Sequence, residues 1–136
     1  MTKDELAVSK WRNGYNCAQA VCCAFVDEIG VDEATLYKIN EGFGAGMGTG
    51  KGVCGALSGA AALAGLINSE GDIENAGTTK ASTYKIVAGM QKQFDEKVGS
   101  IICHNIKSGD NGQPLKSCSD CIRLAASIAE KTLFSK

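Results

Sequence analysis

One proline, one histidine and one tryptophan occur in 136 residues, and aromatic side chains make up only 6%. So little aromatic surface leaves no stacking platform for nucleic-acid bases. A single histidine with no partner motif excludes an arguable Ser/His/Asp set. Neither sign of charge dominates: 14 basic and 15 acidic residues are well mixed and leave a net charge of −1. That balance argues against nucleic acid, or an anionic membrane surface, as the main partner. Long hydrophobic runs are missing too. The longest weakly polar stretch, 53–67, covers 15 residues rich in Gly, Ala and Ser, too short and too weakly apolar to span a bilayer. Met1 to Leu6 place acids where a secretion signal carries apolar side chains. A cytoplasmic location without membrane insertion is expected.

Alternating β-branched runs are also absent, and helical periodicity dominates. Over 4–29 the apolar residues Ala7, Trp11, Tyr15, Ala18, Cys22, Phe25, Val26 and Ile29 form one stripe, which Asn13-Gly14 can interrupt. Asn16 then caps a second helix, and Asp32 caps a short one over 32–40. Further helices are expected over 53–67, 80–97, 100–107 and 118–134. The first two of these carry specific faces: Gly55, Gly59 and Ala62 or Ser58 let another backbone approach closely, and Tyr84, Val87, Met90, Phe94 and Val98 point inward. Thr78 or Thr79 caps the long helix. The expected fold is all-α: one domain over 1–136, a compact bundle of about five to six helices with a glycine-rich loop.

That loop, 42–52, has six glycines in eleven residues, too many for a helix interior. It fails the P-loop pattern, because Gly52 stands where Ser or Thr should follow Gly50-Lys51. Gly50-x-Gly52-x-x-Gly55 fits a dinucleotide fingerprint in spelling, but no strand precedes it. Concave runs of backbone N–H groups also hold anions and iron–sulfur centres. With Cys54 directly behind it, that use makes Gly50, Gly52 and Gly55 the cofactor-binding expectation.

What the chain has in abundance is cysteine: seven residues. In a reducing compartment an odd set points to metal binding, catalysis or redox sensing rather than a disulfide framework. Cys17, Cys54, Cys103 and Cys118 each fall at an expected helix start, where free N–H groups and the helix dipole favour thiolate. Cys118-Ser119-Asp120-Cys121 is a lone C-x-x-C without the βαβ context of a thioredoxin. Ser100-Ile101-Ile102-Cys103-His104 misses the haem-attachment pattern by one cysteine, and His104 reads as a surface or structural residue. Cys22 falls on the apolar stripe as core, Cys23 points outward, and neither is a favoured site residue.

Taken together, Asn16-Cys17-Ala18-Gln19, Phe43-Gly44-Ala45-Gly46-Met47, Cys54-Gly55-Ala56-Leu57-Ser58-Gly59, Gly99-Ser100-Ile101-Ile102-Cys103 and Cys118 resemble the C-GCAxxG-C-C family of redox-active proteins. The resemblance implies a small helical redox protein whose four-cysteine pattern maps to Cys17, Cys54, Cys103 and either Cys118 or Cys121, with Cys118 preferred. A related domain in split-Soret cytochromes implies an iron–sulfur cluster; the haem motifs of those proteins are missing here.

Three readings follow. In the first, thiolates at helix starts hold an iron–sulfur cluster for electron transfer with an unidentified redox partner protein. The second is a metal-free thiol–disulfide protein, and the third a zinc-stabilised binding module. Zinc sites draw ligands as close pairs, and only one such pair exists, so the cluster leads. An electron carrier is expected before an enzyme with its own substrate. A homodimer is the other partner expectation.

Overall fold

A computed structural model describes residues 1–135. Among them are seven α-helices of six residues or more, a single kinked helical turn at Gly44–Met47 in the glycine loop, and no strand. Helix α1 (Lys3–Arg12) opens at Thr2, whose side chain accepts the Glu5 N–H, and carries acids in its first turn and bases in its last. Asn13 and Gly14, the latter at φ 108°, end it, so the apolar stripe is cut in two as its Asn-Gly pair suggests. Helix α2 (Cys17–Cys23) begins with a reciprocal cap: Asn16 accepts the Gln19 N–H, and Gln19 accepts the Asn16 N–H.

Helix α3 (Glu33–Asn40) is capped by Asp32 as expected. It is followed by the glycine loop and α4 (Gly55–Asn68), then by a polar loop and the long α5 (Lys80–Val98). Short α6 (Cys103–Ser108) and α7 (Cys118–Ala129) complete the bundle, and a π turn over Glu130–Phe134 continues α7. That turn replaces the last part of the helix expected to run unbroken to 134.

The core is a single cluster built chiefly on α2, α4 and α7. Helix α2 contacts α1, α3, α4 and α7, so Ala18 to Cys23 are all buried. Cys23 therefore does not face out; it is fully enclosed, because α2 has no solvent side from its second residue on. Tyr84 is the other departure: it is 67% exposed, since the first half of α5 projects beyond the body and only Met90, Phe94 and Val98 are fully packed. Thr79 precedes α5 but its side chain makes no capping bond.

Close helix crossing is as the small-residue stripe of α4 predicts. A Cβ at Gly59 would stand 2.5 Å from the Ala18 carbonyl oxygen on α2. Gly59→Ala is therefore expected to cost about 1–3 kcal/mol, because it forces the two backbones apart. Thermal unfolding checks this, and an unchanged Tm would show that the crossing has slack.

Candidate functional site

The helix starts converge. Cys17, Cys103 and Cys118 are the first residues of α2, α6 and α7, and Cys54 is the residue that opens α4. Cys121 lies one turn further along α7. All five line one pocket of about 190 Å³. Each reaches it for a local reason. The Asn16 cap fixes Cys17, and the Ser117 side chain, accepting the Asp120 N–H, fixes Cys118. Cys54 is held by its own N–H, donated to the Ile101 carbonyl at 2.7 Å.

The glycine loop secures Cys103 from the other side. The Cys103 N–H donates to the Gly52 carbonyl at 3.0 Å and the His104 N–H to the Gly50 carbonyl at 2.7 Å. Two otherwise unpaired donors of α6 are thus satisfied by loop carbonyls. The N–H groups of Gly50 and Gly52 are themselves donated within the loop, to Ala45 and Gly46. These two glycines stand behind the pocket, whereas Gly55 forms part of its wall. A Cβ at Gly55 would collide with the Cys17 sulfur, and one at Gly46 with the Cys103 side chain. The loop N–H that does reach sulfur belongs to Ala45, which donates to Cys17. Sequence reasoning missed Ala45, which holds φ 54° despite its side chain.

The electrostatics separate the thiols. Cys54 is held below the usual thiol range, first by its hydrogen bond with Cys121 and then by the Ala56 and Leu57 N–H groups and the Lys107 charge, all against burial. Cys121 is pushed up, because it supplies the proton in that bond and is itself buried. Burial also pushes Cys17 up, outweighing the Ala45 N–H, and pushes Cys103 up, outweighing Lys107. The helix-start argument for thiolate thus holds at Cys54, while desolvation wins at Cys17 and Cys103.

The remaining cysteines stay apart. Cys22 and Cys23 are fully buried in the core, where burial lifts them to about 11 and about 12. Neither lines the pocket. His104 is exposed and also lies outside its lining.

Among the described residues no three His, Cys, Asp or Glu side chains come together as a single metal ion requires. The five thiols instead line one space, where the Cys121 thiol donates to the Cys54 sulfur. The space is smaller than the roughly 300–1,000 Å³ of sites for organic ligands. Donor type and size together fit a compact, soft, thiophilic group. No helix among the described residues is long and apolar enough to cross a membrane.

A family model described as "Putative redox-active protein (C_GCAxxG_C_C)" matches residues 15–132 of the chain. No curated protein and no solved structure matches it.

Proposed function

The chain belongs to the C-GCAxxG-C-C family of redox-active proteins, and from that premise we propose that its pocket binds an iron–sulfur cluster and carries electrons. The observation that supports this reading is the ring of cysteines from four helix starts around one pocket of about 190 Å³. Cys17, Cys54, Cys103 and Cys118 are the proposed ligands. Cys121, on Cys54, supplies a hydrogen bond to a ligand sulfur, as does the Ala45 N–H on Cys17. Such bonds, with burial, set a cluster's potential.

A bound cluster supplies a site that gains and loses one electron. The chain's own residues hold it dry and offset its negative charge through helix starts and Lys107. Because burial keeps Cys17 and Cys103 protonated in the empty protein, loading releases protons.

Protein purified without air is expected to be brown, with visible charge-transfer absorption and iron and sulfide in near-equal amounts. A colourless protein with one equivalent of zinc, or with no metal, sinks the reading. The contact between Cys54 and Cys121 favours a second one. There the Cys54 thiolate attacks a small disulfide and expels one thiolate. Cys121 then attacks the Cys54 sulfur of the mixed disulfide, leaving a Cys54–Cys121 bond and releasing the second thiol. A metal-free native protein whose mass falls by two hydrogens on such treatment selects this reading.

A further inference from the structure

The pocket wall contains no carboxylate, yet it contains two lysines, Lys107 and Lys116. Both are exposed, and neither joins the ion pairs of the described residues, which involve Lys3, Lys10 and Arg123. Lys116 also borders an adjoining hollow, where Lys97 and Arg123 face Asp120 alone, Arg123 being paired with Asp4. Trp11, the chain's one tryptophan, is half-buried in the same pocket wall. A cationic rim on a chain of net charge −1 is a local arrangement that overall composition hides.

We propose that the rim of Trp11, Lys107 and Lys116, extended by Lys97 and Arg123, is the docking surface for an acidic electron-carrier protein. The inference rests on the redox reading above and adds the chemistry of its partner. Unpaired lysines around a redox pocket steer an acidic surface to the point of closest approach, and a half-buried tryptophan is a typical interface anchor. One electron passes at this contact: the reduced carrier is oxidised, the centre is reduced, and no atom or proton is transferred. A cluster held by the pocket cysteines would fill the interior, so the rim offers an outer surface rather than a cavity to the partner.

Trp11 also provides the test. The anaerobically purified protein is titrated with poly-L-glutamate, a protein-sized polyanion, while tryptophan fluorescence is read. A saturable change is expected that weakens with added NaCl and disappears in Lys97→Glu/Lys116→Glu. In parallel, the dithionite-reduced protein is re-oxidised by Fe(III)–EDTA, an anion, or by hexaammineruthenium(III), a cation. The anion's rate should fall with salt and drop on the order of tenfold in the double variant, while the cation's rate moves the opposite way. An unchanged visible spectrum shows that the variant is intact; if it is not, Lys97→Gln/Lys116→Gln replaces it, with a smaller drop expected. Rates indifferent to reagent charge, or no polyglutamate response, overturn the proposal. Sulfate giving the same saturable response at matched ionic strength makes the rim a small-anion site, and also overturns it. Failure of the redox reading looks different: no visible absorption and no electron transfer to either reagent, whatever polyglutamate does.

Discussion

Cys17→Ser and Cys54→Ser are each expected to abolish iron binding and redox activity, while Cys22→Ala and Cys23→Ala retain both. The first two replace a soft thiolate in the pocket wall with a hard hydroxyl that soft metals ligate poorly. Cys54 carries the larger consequence, because its sulfur meets the Cys121 thiol and the Ala56 and Leu57 N–H groups as well as the pocket. Cys22 and Cys23 pack as small hydrophobes at 0% exposure, so their truncation leaves small voids that cost about 1 kcal/mol each. Iron per chain and visible absorption are the readouts, with far-UV circular dichroism to confirm that each variant is folded. Equal loss across all four variants would show that pocket and core cysteines are wrongly divided.

The glycine loop is expected to separate backbone from side-chain effects just as sharply. Gly50→Val and Gly52→Val should lose the site, whereas Lys51→Ala should keep it. Gly50 sits at φ 82°, which costs an L-residue about 1–2 kcal/mol. A Cβ at Gly52 would come within 2.6 Å of the Met47 side chain and 3.1 Å of the Gly46 carbonyl oxygen. Either valine displaces the carbonyl that accepts from His104 or Cys103, and the start of α6 moves with its cysteine. The Lys51 side chain is exposed and joins no ion pair, so removing it touches none of this. Iron content after anaerobic purification, together with nucleotide titration, decides the matter. If Lys51→Ala abolished a measurable ATP or dinucleotide affinity while both valine variants kept the cysteine site, the loop would be a phosphate cradle.

By itself the sequence determined the helical class, the caps at Asn16 and Asp32 and the cysteine positions, because these depend on near neighbours in the chain. Asn16 with Gln19 and Asp32 with Thr35 are contacts three residues apart, and the break at Asn13-Gly14 needs only the conformational freedom of one glycine. The helix-start placement of Cys17, Cys54, Cys103 and Cys118 was legible for the same reason, and the close approach at Gly59 from the spacing of small residues. Tertiary structure alone decided what surrounds each group. Cys23 is enclosed because four helices pack around α2, and Tyr84 is exposed because α5 outruns the core. The glycine loop caps α6 through its carbonyls, across fifty residues of chain that no local pattern spans. Likewise the charge state of each thiol depends on a balance between desolvation and partners from other helices. That balance lowers Cys54, which meets Cys121, and raises Cys17 and Cys103, where burial prevails.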